Sequence, residues 1–180
     1  MKVISTLSTC AVITVIFLMM YAGVQQTYRS GANDPQIQIA RDIARELREG
    51  ETIEHIFPRD SFDISKSLSS FAVVYDSSSK PLRSSGFLNG TPPQLPPGVF
   101  DFVKSHGEDM VTWQPHRGVR MAMVLCFVQS PNVRFVAVGR SLREIEIREN
   151  NLVSMVLGGW LVCIGIIIMS ALIQLKFKKQ

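Results

Sequence analysis

Cysteine is scarce in this chain, and its placement matters more than its number. Three occur in 180 residues, and two of them, Cys10 and Cys163, lie in long apolar stretches. Cys126 is left alone between them. One cysteine closes no bridge within a domain, so the central segment must be held by an apolar core. Cys126 itself sits in an apolar run, where the role of a small buried hydrophobe competes with a link to a second chain. Histidine is equally sparse, at His55, His106 and His116. With Asp101, Glu108 and Asp109 these raise the question of a metal. The run His106-Gly107-Glu108-Asp109 has no second histidine at a ligand spacing, and His116 falls in a turn, so no metal site is expected. Serines are plentiful but none occupies a strand–turn–helix elbow, and Ser77 to Ser79 are turn residues. No catalytic residue and no cofactor follow, and an enzyme is not expected.

Two stretches lack charge altogether. Val3 to Val24 is 22 residues without an ionisable acid or base, and Leu152 to Leu175 is 24. As helices they reach roughly 33 and 36 Å, enough to cross a hydrocarbon core of about 30 Å. Between them Gln25 to Asn151 is 127 residues, the length of one domain. The organisation expected is a membrane helix over 3–24, a domain over 25–151, a second membrane helix over 152–175 and a short tail over 176–180. That excludes a freely soluble protein, and the tail leaves no room for an output domain.

The net charge of +4 does not indicate nucleic acid. The central segment holds three Lys and twelve Arg against seven Asp and eight Glu, and so is neutral. The surplus is Lys2, Lys176, Lys178 and Lys179, which flank the apolar stretches and place both termini in the cytoplasm by the positive-inside rule. The domain between is then outside a plasma or inner membrane, because long loops translocate largely regardless of charge. The first stretch is too long for a signal-peptide core. Its end, Met20-Tyr21-Ala22-Gly23-Val24, lacks a small-x-small site, so an uncleaved anchor is expected.

After Gly31-Ala32-Asn33 breaks the pattern, Asp34 suits an N-cap, Pro35 a first helical position and Gly50 a C-terminal exit. On a helical wheel Ile37, Ile39, Ala40, Ile43, Ala44 and Leu47 fill one arc, and Arg41, Asp42, Arg45, Glu46, Arg48 and Glu49 the other. Such a helix either lies on the domain's own core or binds lipid or a second copy. Phe71 to Tyr75 reads as a strand, Asp76 to Lys80 as a turn and Pro81 to Ser85 as a returning strand. Gly90 to Gly98, with four prolines, reads as loop, and Val99 to Ser105 as a short helix closed by Gly107. Three strands follow over Met110–Gln114, Val119–Val128 and Val133–Gly139, joined by Pro115-His116-Arg117-Gly118 and Ser130-Pro131-Asn132. Ser141-Leu142-Arg143-Glu144 has the form of a capping box, opening a helix that runs unbroken into the second apolar stretch. Short turns without crossover helices make the class α+β with an antiparallel five-stranded sheet.

These residues resemble the small extracytoplasmic PAS-like (Cache-type) sensor domains held between two transmembrane helices in bacterial histidine kinases and chemoreceptors. The resemblance is carried by the long helix after the first span, the hairpin FAVVYDSSSKPLRSSG, the strands VTWQ, VRMAMVLCFV and VRFVAVG, and the continuous exit helix. It covers about Asp34 to Asn151 and departs from the family in lacking a cytoplasmic module. It implies sensing of a small ligand, and a pocket between the sheet and the segments joining its second and third strands, here the proline-rich loop and the short helix.

Separately, Trp113, Arg117 and Arg120 put an aromatic body and two guanidinium forks around one hairpin, a set able to clamp a carboxylate. Against this, Trp113 alternates with Val111 as a core residue would, and Arg120 suits a water-facing position. Asn89-Gly90-Thr91 matches a glycosylation acceptor, and Ser154-x-x-x-Gly158 and Gly159-x-x-x-Cys163 put small residues at helical spacing. The expectation is a two-span membrane protein whose outer PAS-like domain senses and acts through a membrane protein partner or a homodimer. The alternative is a non-catalytic accessory or structural subunit whose outer domain binds another protein.

Overall fold

The computed structural model describes residues 2–31, 34–57 and 60–177. Ala32-Asn33 and the tail Lys178 to Gln180, singled out above, lie outside the described residues. The chain divides into two compact units, Met1–Arg29 with Ile145–Gln180, and Ser30–Glu144.

The first unit contains most of α1 (Lys2–Gly31) and of α5 (Arg143–Phe177), both long and apolar enough to cross a membrane. Their half-buried residues recur every three or four positions, with Cys10, Thr14, Phe17 and Tyr21 on one helix and Val156, Gly159, Trp160 and Cys163 on the other. That spacing is the seam of two helices lying side by side.

The second unit is α+β. Its elements are α2 (Asp34–Glu49), α3 (Ile53–Ile56), β1 (Phe62–Asp63), β2 (Phe71–Tyr75), β3 (Pro81–Ser84), β4 (Gly86–Phe87), α4 (Pro97–His106), β5 (Glu108–His116), β6 (Val119–Phe127) and β7 (Phe135–Ser141). Five strands form one antiparallel sheet, as the sequence pattern predicts, and their order is β3-β2-β7-β6-β5. Two-residue β1 and β4 add a small parallel pair. Neither these nor α3 is foreseen in the sequence, because two to four residues carry no readable period.

Several boundaries shift. The proline-rich loop ends earlier than expected: Pro97 and Gly98 open α4, since proline suits the first helical turn. Strand β7 runs two residues later than Val133–Gly139 and reaches Ser141. Strand β5 continues through Pro115 to His116, with a register shift after Trp113, leaving Arg117-Gly118 as a two-residue turn. Pro115 is tolerated because β5 is an edge strand. At the capping box both polar side chains have partners. Ser141 Oγ accepts from Arg143 N at 3.3 Å, while the Glu144 carboxylate lies 3.8 Å from Arg140.

Each face of the sheet has its own core. On one lie Phe71, Val73, Tyr75, Met121, Met123, Leu125, Phe135 and Ala137, covered by Leu88, Leu95, Phe100 and Val103 from the proline-rich loop and α4. On the other lie Ala72, Val74, Val124, Cys126, Val136 and Val138, covered by Ala40, Ala44 and Leu47 of α2 and by Phe57. The buried line of α2 is the centre of the apolar arc read from the sequence, and its edges, Ile37 and Ile39, are only partly covered. Gln36 falls in that centre and is buried, a polar residue the wheel reading passed over.

Candidate functional site

Trp113, Arg117 and Arg120 do not converge. Trp113 pairs with Met121 across the β5–β6 ladder and packs against the aromatic core face. Side chains alternate along a strand, so Arg120, between Val119 and Met121 of that face, belongs to the opposite face. Arg117 is exposed at the hairpin tip. Trp113 and Arg120 are thus on different faces, since residues one position apart in a strand point to opposite sides of the sheet.

The pocket implied by the resemblance would lie on the aromatic face, beneath the proline-rich loop and α4. Side chains of the chain itself pack into that space. Phe100 stands edge-on to both Tyr75 and Phe135, with ring centroids 5.0 and 5.1 Å apart. The Tyr75 hydroxyl donates to the Pro93 carbonyl at 2.8 Å, anchoring the loop over the sheet. Burial holds its proton on well above the ordinary tyrosine range. The loop owes its path to chemistry: Pro93 and Leu95 are buried, and Asn89 and Gly90 both adopt positive φ, 52° and 78°, in the turn where Leu88 and Thr91 bridge. The glycosylation triplet thus forms this turn, with the Thr91 hydroxyl donating to the Leu88 carbonyl at 2.9 Å.

The α2 face is more open. A groove of about 320 Å³ runs beside the helix, lined by Ile39, Ile43, Ile56, Ala72 and Val138, with Asp42 and Glu46 among its polar residues. On the other flank of α2, Arg41 forms a two-pronged pair with Glu108 at the start of β5, both contacts at 2.9 Å. The same carboxylate lies 3.6 Å from the Cys126 thiol. The guanidinium bond holds the Glu108 carboxyl below the usual carboxylate range. Burial, reinforced by that carboxylate, pushes Cys126 up to about 12. The sequence gives no hint that Arg41 and Glu108, 67 residues apart, would meet.

A third polar cluster surrounds the end of the sheet. Asp63 Oδ1 accepts from the backbone and hydroxyl of Ser65, at 2.9 and 2.7 Å, closing a tight turn. These bonds lower its carboxyl from the ordinary range. The backbone of this segment is then held from the far end of the chain: Arg140 Nε donates to the Leu68 carbonyl at 3.2 Å, and Arg143 donates to the Ser65 carbonyl. These arginines sit on either side of the passage from β7 into α5. Among the described residues, no three His, Cys, Asp or Glu side chains gather closely enough to hold a metal ion.

No protein-family model matches the sequence, and no curated protein matches it. Among solved structures, the chain is similar to the ligand-binding domain of the amino acid chemoreceptor PctC of Pseudomonas aeruginosa PAO1, in complex with GABA. The identity is 13% and the TM-score 0.46, covering 76% of this chain and 62% of that one. The chain thus spans less than two thirds of that domain's length.

Proposed function

We propose that this is an integral membrane protein of the plasma or inner membrane, with both termini cytoplasmic. Its central PAS-like domain lies outside, has a sensory role, and acts through a membrane partner or a second copy rather than by catalysis. The observation that carries this reading is the passage from sheet to helix. Strand β7 ends at Ser141 and α5 begins at Arg143, with only Leu142 between them. A change in the sheet or in the Asp63–Leu68 segment has a short route to α5, through Arg140 and Arg143. Reporter fusions at Gln180 and near Ser79 should give cytoplasmic and external signals respectively, and the reverse pattern would remove the topology.

Coupling is tested at Ile147, whose side chain is 54% exposed, so that proline there acts on the backbone. Ile147→Pro removes a helical hydrogen bond and clashes with the preceding turn, at about 3 kcal/mol or more locally. The central domain should keep its protease resistance, since its core lies upstream, while crosslinking to the partner within the membrane is lost. Unchanged crosslinking would leave α5 a mere tether.

A second reading, an accessory subunit whose outer domain binds another protein, is favoured by the filled aromatic face. Thermal shift of the full chain in nanodiscs against small carboxylates and amines separates the two. A ligand at 100 times its Kd stabilises by about 2.7 kcal/mol, and a screen in which nothing raises the melting temperature supports the protein-binding subunit.

A further inference from the structure

The two apolar helices meet through a polar contact. Trp160 Nε1 donates to Thr14 Oγ1 at 2.9 Å, and the Thr14 hydroxyl donates to the Cys10 carbonyl at 2.8 Å. The indole N–H is a donor only, and hydrocarbon offers it no acceptor, so this partner matters more in a membrane than in water. Beside it stands Gly159, where an added Cβ would come 3.1 Å from the Phe17 ring. Thr14 meets Trp160 and Phe17 meets Gly159, so the numbers run in opposite directions and the helices are antiparallel. Sliding one helix by a turn would carry the indole about 5.4 Å from its acceptor.

We propose that the Trp160–Thr14–Cys10 relay is a register lock that fixes the height and rotation of one span against the other. Apolar surfaces alone choose poorly among registers in lipid, where tails are as apolar as the side chains, and a directional bond supplies the choice. The proposal rests on the membrane reading above. It has a consequence for two residues outside the bond. Cys10 lies four positions, about 6 Å, beyond Thr14, and Cys163 three positions, about 4.5 Å, beyond Trp160 in the same direction. Both are half-buried on the facing stripes. The lock therefore sets the two native thiols in one layer, where they report the register.

The test oxidises the full chain in its membranes with copper phenanthroline and oxygen, and counts free thiols in the monomer band with a maleimide label. The wild type should lose two thiols within one chain, and Cys10→Ser or Cys163→Ser should abolish the reaction. Thr14→Val and Trp160→Phe should slow it about threefold, the size of an average interhelical hydrogen bond in a membrane. Thr14→Ser, which keeps the hydroxyl, should restore it. Wild-type rates in Thr14→Val, a slow Thr14→Ser, or disulfides only between chains would each overturn the lock. Retention of the chain in carbonate-washed membranes is measured on the same samples. Loss of retention with crosslinking intact counts against the membrane reading, and retention without crosslinking counts against the lock alone.

Discussion

The two faces of the central sheet are built from the same strands by different means. One is aromatic and closed: Tyr75, Phe100 and Phe135 interlock beneath a proline-rich loop that Tyr75 holds down. The other is aliphatic, made largely of valines and alanines under a helix that buries Ala40, Ala44 and Leu47, with Ile37 and Ile43 only partly covered. The first face spends its volume on packing. The second leaves a groove and is tied at its margin by charge. Stability should therefore depend on the aromatic face far more than on the edges of the α2 face.

The contrast is sharpest at Phe100. Phe100→Ala should cost about 3–5 kcal/mol, because the ring is fully enclosed and its neighbours are rings that collapse poorly. Urea unfolding followed by circular dichroism measures it, and a loss under about 1 kcal/mol would mean that this face holds a void after all. Next comes Gly86, where an added Cβ would lie 2.5 Å from Ile64 Cγ2 and 2.7 Å from the Phe71 Cβ. The Phe71 Cβ cannot swing away as a ring tip can, so Gly86→Ala should cost about 1–3 kcal/mol by the same measurement. Near-wild-type stability would show that β4 and β2 can part.

At the margin of the α2 face, Glu108→Gln should lower the melting temperature by about 2 °C or less at neutral pH, since Arg41 is largely exposed. The folded carboxyl titrates below its ordinary value of 4.5, so its stabilisation is complete above that pH and disappears as the pH falls through the lowered value. Wild type and variant should thus converge in acid, and a gap that persisted there would assign the effect to packing. Smallest of all is Ile39, 37% exposed at the groove. Ile39→Gln should change stability by about 0.5 kcal/mol or less. A larger loss would place the residue in the core and remove the asymmetry between the faces.

Much of this fold was legible in the sequence because its signals are periodic. The α2 wheel, the alternating strands and the turn residues at Asp76 to Lys80 each carry a repeat or a side chain with one local role; Asp76 Oδ1 accepts from the Ser78 and Lys80 amides at 2.8 and 2.9 Å. The contacts around a site are not periodic. Whether Trp113 and Arg120 share a face depends on parity through a hairpin with a register shift, and a window that treats them as neighbours puts them together. Arg41 finds Glu108, and Arg143 finds Ser65, only when the sheet is assembled. Gln36 was hidden for the opposite reason: its type predicts the surface, and tertiary packing buried it.

Cys126 has a consequence for chemical reactivity. Burial and the neighbouring carboxylate raise the thiol well above its ordinary range, so little of it is thiolate at neutral pH, and the thiolate is the species that reacts. With its proton held by burial and by the Glu108 carboxylate, the one cysteine of the central domain is a slow nucleophile towards disulfides, peroxides and alkylating labels. A probe cysteine placed on the surface of the domain would thus be labelled ahead of Cys126, with the native residue left in place.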